Sequence, residues 1–177
     1  MKKTTLLLAS TSLLALPSFA ANVASDNGSD PVYASWDDGD NGGTGFGAWQ
    51  LSQTGDGGRY VGGTGQGATS FGLYSNSGTS TARRDFTGGA LAVGESFSID
   101  LGHTVTINGE IGINLLDGAS SVFTLKFVSG DTDWAINDGA SDFGSGQNYA
   151  ANTSIAFTFT YEGGNDYSYT FGTGSGS

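Results

Sequence analysis

Cysteine is absent from this chain, proline occurs twice, and only 6 of its 177 residues are lysine or arginine. Without cysteine there is neither a disulfide framework nor a thiolate metal site. Six basic residues against 17 acidic ones leave a net charge of −11, which excludes the basic stripe that nucleic-acid binding requires. No Gly-Lys-Ser or Gly-Lys-Thr follows the glycine runs, and the negative charge repels phosphate, so a phosphate loop is excluded as well. The single histidine, His103, has no cysteine to pair with, and no Gly-x-Ser-x-Gly elbow leads into a helix. Ser-His-Asp chemistry is not excluded by counting, but a lone histidine between strands is usually solvated. No window shows a helical 3.6-residue period. Aromatic residues at 12% exclude a fully disordered chain.

Glycine is what the chain has most of. All 31 glycines follow residue 20 and show no three-residue period, so collagen is excluded. The first twenty residues differ from the rest. Lys2 and Lys3 precede an apolar stretch from Leu6 to Leu16, and Ser18-Phe19-Ala20 offers small residues at a cut site. This is the pattern of a secretory signal peptide, and it is too short to span a membrane. Its removal takes two lysines away and makes the remainder more acidic.

After a polar lead-in at residues 21–45, apolar residues alternate with polar ones. Phe97, Ile99 and Leu101 form one such run, and Ile111, Ile113 and Leu115 another. Phe123, Leu125 and Phe127 follow, then Ile155, Phe157, Phe159 and Tyr161, then Tyr167, Tyr169 and Phe171. Period two with one apolar face marks half-buried antiparallel strands. Gly163-Gly164-Asn165 and Ser129-Gly130-Asp131 read as turns between them. The expected fold is all-β, an antiparallel two-sheet sandwich or jelly roll over residues 46–171, with a flexible Gly/Ser tail at 172–177. That tail follows a strong strand directly, which suggests attachment to further domains beyond Ser177 or an edge strand. Gly42–Ala48 and Gly62–Ala68 match at six of seven positions. Two copies are too few for a solenoid and read as two similar loops leading into strands.

Two polar clusters carry candidate chemistry. Asp37, Asp38, Asp40 and Asn41 are spaced by glycine in one loop, as hard cations such as calcium require, although the EF-hand spacing fails. The same residues also read as an Asx-rich turn. A second acidic loop, Asp131, Asp133, Asp138 and Asp142, is open to both readings. The second cluster joins aromatic and polar side chains. Trp134, Asn137, Asp138 and Tyr149 lie on or beside the longest stretch without alternation, residues 138–152. An aromatic face with a few placed polar groups suits a sugar ring, whereas a core role for Trp134 is the competing expectation. Glycoside hydrolysis needs two facing carboxylates, and Glu95, Glu110 and Glu162 all sit at expected strand ends.

The segment Trp36-Asp37-Asp38-Gly39-Asp40-Asn41-Gly42-Gly43-Thr44-Gly45-Phe46-Gly47-Ala48-Trp49 resembles a motif of secreted bacterial proteins that carry a PEP-CTERM sorting tail. Ser70–Tyr74, Arg83–Phe86 and Ile136–Gly139 are similar too. The resemblance implies a concanavalin-like sandwich, and some similar segments look like accessory modules of glycan-degrading enzymes. The sorting tail itself, with its Pro-Glu-Pro, apolar span and Arg cluster, is not seen here. The expectation is therefore a secreted, non-catalytic module that recognises extracellular polysaccharide or cell-surface glycan, with calcium as a candidate cofactor. No nucleic-acid partner and no membrane insertion after signal removal are expected. A structural or adhesive matrix protein is the second reading and a glycan hydrolase the third.

Overall fold

The computed structural model describes residues 24–63, 69–102, 108–139 and 141–177. The signal segment, His103 and the end of the second glycine run lie outside them. Among the described residues the only helical element is a three-residue 3-10 turn, Pro31–Tyr33, capped by the Asp30 carboxylate accepting from the Val32 N–H. No helix among them is long and apolar enough to cross a membrane. The other regular elements among the described residues are antiparallel β-strands, as the period-two pattern requires.

The first half is a kinked ribbon. Strands β1 (Gln50–Gly55) and β2 (Gly58–Gly62) run back along β4 (Gly78–Arg83) and β3 (Ser70–Tyr74), with β1 paired to β4 and β2 to β3. The pairs Gly55–Gly78 and Gly58–Tyr74 leave two residues on one side and three on the other. This is one long hairpin broken by a bulge of one residue, the usual device for bending a ribbon. Asp56 holds the bend. Its carboxylate accepts from the N–H groups of Asn76 at 3.0 Å and Ser77 at 2.6 Å, and from the Ser75 hydroxyl at 3.2 Å.

The second half is the sandwich. Strands β6 (Glu110–Asp117), β7 (Ser120–Val128), β8 (Asp133–Asn137) and β9 (Asp142–Asn148) form one sheet in that order. The facing sheet has the order β12-β11-β10-β5, from β5 (Ser96–Leu101), β10 (Ile155–Gly163), β11 (Asp166–Phe171) and β12 (Gly174–Gly176). Their inner faces meet in one core. Phe123, Leu125 and Phe127 of β7 face Phe157, Phe159 and Phe171 of the opposite sheet, all buried. Each such burial contributes about 1.5–3 kcal/mol. Stacked and edge-on ring pairs such as Phe123–Phe157, at 5.6 Å, add directional packing.

Two expectations are corrected. Residues 138–152 are not one long loop, because 142–148 pair with β8. The tail is not wholly loose either, because Gly174–Gly176 add an edge strand to β11. The lead-in is also less polar in its packing than in its composition. Tyr33 and Trp36 are each 1% exposed. With Trp49 and Phe71 they form a second aromatic core, ring centroids 4.7 to 5.2 Å apart.

Arg84 ties that core together. Its side chain is 4% exposed and pairs with the equally secluded Asp26 carboxylate. It also donates from Nε to Gly47 O at 2.7 Å and from Nη2 to Asn41 Oδ1 at 2.7 Å, and lies over the rings of Phe46 and Trp49. Tyr33 completes the group by donating its hydroxyl to Asp26 at 2.6 Å. Phe46 and Phe86 stack at 5.1 Å, and Phe86 meets Phe97 of β5, which joins ribbon to sandwich.

Candidate functional site

The residues expected to form a glycan surface do not lie on one surface. Trp134 is 2% exposed, with its ring 5.2 Å from Phe171 and 5.9 Å from Phe127. Its indole N–H has no hydrogen-bond partner among the described residues. A side chain placed this way offers no face to a sugar. The reason is parity: Trp134 and Ile136 share the core face of β8, so Asn137 must point the other way. Asn137 donates from Nδ2 to Asp142 at 2.7 Å and accepts the Gly139 N–H at 2.8 Å. Asp142 in turn pairs with Lys126 at 3.0 Å. Asp138 accepts from the Tyr167 hydroxyl at 3.2 Å. Burial, and then the Asp138 charge, push that hydroxyl up to about 12. Tyr149 stacks on Phe127 at 4.0 Å and is half-buried.

The acidic loop is a hydrogen-bonded turn. Asp37 accepts from Ser35 at 2.7 Å and from Arg59 at 3.3 Å, and these donors hold its carboxyl below the usual range. Asp38 accepts the Leu51 N–H and Asp40 the Asp37 N–H, both at 2.7 Å. Asn41 accepts from Arg84. The four side chains thus turn toward different partners. Among the described residues no group of three or more His, Cys, Asp or Glu is placed to hold a metal ion.

The ribbon presents a different arrangement. In the β2–β3 register Tyr60 stands opposite Gly72, and Tyr74 opposite Gly58. Each tyrosine ring lies over the glycine across from it, and a Cβ at Gly58 or Gly72 would fall within that ring. Glycine here is a steric requirement, because any side chain would lift the ring off the strand. The two rings are diagonal neighbours, with centroids 6.4 Å apart and planes 33° apart. Tyr74 is 53% exposed. Gly62 and Ser70 form the next cross-strand pair on this face. Asp56 flanks Tyr74 through Ser75, and its backbone N–H donors keep its carboxyl below the usual range.

Two recesses lie elsewhere on the surface. A shallow trough of about 530 Å³ lies over β10–β12, lined by Thr158, Thr160, Glu162, Ser168 and Thr170 among others. Its one aromatic residue, Tyr169, is only 6% exposed, and Glu162 is the only carboxylic side chain lining it. A hydrolytic pair is therefore not assembled in the trough. A smaller recess of about 170 Å³ between Phe86 and Leu91 contains Glu95, whose carboxylate accepts the Ala92 N–H.

Tyr60 and Tyr74 are visible in the sequence only as two aromatics near strand ends. What selects them is the cross-strand Gly–Tyr pairing, which exists only once the register is known. Comparison with known proteins adds no constraint: no family model, no curated protein and no solved structure matches the chain.

Proposed function

We propose that the protein is a secreted, non-catalytic module that binds extracellular carbohydrate through Tyr60 and Tyr74. The observation that carries this reading is the pair of tyrosine rings set over glycine on one face of the ribbon, with Tyr74 53% exposed. Sugar rings dock through their C–H faces onto such aromatic planes, while neighbouring polar groups take the hydroxyls. Burying and pairing explain every other large aromatic cluster of the molecule, but not an exposed ring such as Tyr74. The buried Trp134 has no part in this surface.

The test is a glycan array and a polysaccharide pull-down with the wild type, Tyr74→Ala and Tyr60→Ala. Both substitutions are expected to abolish retention while the melting transition stays cooperative. Retention unchanged by either substitution, or retention of no carbohydrate by the wild type, removes the reading.

A further inference from the structure

We infer that the recess between Phe86 and Leu91 is a second binding site, which takes a small primary alkylammonium ion with its N–H groups on Glu95. The site lies where Gly45 of the lead-in, Phe86 after β4, and Leu91 and Glu95 before β5 come together. It does not rest on the carbohydrate reading.

Backbone hydrogen bonds build the recess. After β4 the chain turns at Gly88-Gly89, where the Gly89 N–H donates to Phe86 O at 3.3 Å. It turns again at Ala92–Glu95. There the Glu95 N–H donates to Ala92 O at 2.9 Å, and the Ala92 N–H donates to Glu95 Oε2 at 2.7 Å. Strand β10 anchors this second turn: the Gly94 N–H donates to Tyr161 O at 2.7 Å, and the Tyr161 N–H to Glu95 O at 3.1 Å. The Thr87 N–H donates to Gly45 O at 2.9 Å and so fastens the lead-in to the same place. Glu95 is thus fixed before a ligand arrives, which lowers the ordering cost of binding. Gly88 is a different case. A Cβ there would meet nothing within 4 Å, and its φ lies outside the left-handed region. Packing does not require glycine at 88, and the missing side chain leaves open space at the wall of the recess.

The charge of the occupant follows from Glu95, the only carboxylic side chain lining the recess. Its Oε2 is tied to Ala92, while among the described residues its other oxygen accepts no hydrogen bond and the side chain forms no ion pair. A neutral apolar occupant would cover that carboxylate and leave it with neither water nor donor, which is costly. An anion is repelled by Glu95 and by the net charge of −11. A hard metal ion asks for about six to eight oxygen ligands, which one carboxylate does not supply. An ammonium donates charge-assisted hydrogen bonds to the open oxygen, and its alkyl chain lies against Phe86 and Leu91. Arg83 and Arg84, the nearest basic residues in sequence, are matched by Asp85 and Asp26 and do not neutralise Glu95. The size follows from the volume of about 170 Å³. Pockets for drug-sized ligands run to roughly 300–1,000 Å³, so this one suits a chain of a few carbons.

Titration calorimetry of the protein with n-butylammonium chloride tests this. n-Butanol, which lacks the charge, and tetramethylammonium chloride, which lacks the N–H donors, accompany it. The expected result is saturable binding of butylammonium and none of the other two. Glu95→Gln keeps an acceptor for the Ala92 N–H but removes the charge, and is expected to weaken binding about tenfold or more. Should that variant lose its cooperative melt, Gly88→Leu, which fills the open space at the wall, takes its place with the same expected loss. Free amines and the lysine side chain of a partner protein offer the same group. N-acetyl-lysine methylamide bound as well as butylammonium assigns the site to a partner's lysine, and its rejection assigns the site to free amines. Butanol or tetramethylammonium bound as tightly as butylammonium overturns the ammonium class. Butylammonium not bound, or bound equally by the wild type and the folded variant, overturns the site.

Discussion

At the scale of single residues, Trp134 and Tyr74 exchange the roles their sequence neighbourhoods suggest. Trp134 has polar Asn137 and Asp138 beside it, yet strand parity turns it into the core. Truncating it leaves a cavity between Phe127 and Phe171. Trp134→Ala is therefore expected to destabilise the protein by about 3–5 kcal/mol, measured by urea unfolding. An unchanged midpoint would return Trp134 to the surface. Tyr74 ends an unremarkable run, Ser-Phe-Gly-Leu-Tyr, yet its ring is 53% exposed. The residue types of a binding surface are legible in this sequence, but which of them face outward is not. That depends on pairing between strands, and no single strand carries the information.

At the scale of elements, legibility follows apolar alternation. Strands β5, β6, β7, β10 and β11 alternate cleanly because one face of each packs into the core. Strand β2, Gly-Arg-Tyr-Val-Gly, and β9, Asp-Phe-Gly-Ser-Gly-Gln-Asn, carry no such pattern. They are strands because their backbones pair with β3 and β8, so tertiary pairing overrides local composition. The tail strand β12 is held by β11, with the Tyr169 ring packed over Gly176. The junction between lead-in and ribbon rests on the buried Arg84–Asp26 pair. Removing one partner strands a charge in the interior. Arg84→Met is expected to cost about 3–5 kcal/mol, and Arg84→Met with Asp26→Leu much less, in paired chemical denaturations. Equal losses in the single and double variants would show that the pair itself is not what matters.

At the scale of the molecule, two solution responses follow. Tyr33, Tyr167 and Tyr169 all have hydroxyls raised by burial, Tyr167 to about 12. The unfolded chain loses these protons near its ordinary tyrosine value of about 10, before the folded one does. Their contribution to stability is complete below that value and is lost as pH rises through the folded values. Melting temperature is expected to fall from pH 10 to about 12, and less steeply in Tyr167→Phe. A slope identical in the two proteins would remove Tyr167 from the account. The acidic loop gives the second response. Its carboxylates already accept hydrogen bonds from Arg59, Leu51 and Asp37. Melts in calcium and in chelator are therefore expected to coincide, whereas a rise with calcium would restore a cation to Asp37, Asp38, Asp40 and Asn41.

The Arg84–Asp26 pair also sets a clock. The two residues are 58 positions apart. Synthesis at roughly 5–20 residues per second delivers Asp26 roughly 3–12 s before its partner exists. By the end of that interval Tyr33, Trp36 and Trp49 have been made, while the guanidinium that gathers them has not. The aromatic core of the lead-in is thus synthesised before the residue that ties it together, and a nascent chain paused before residue 84 lacks that tie.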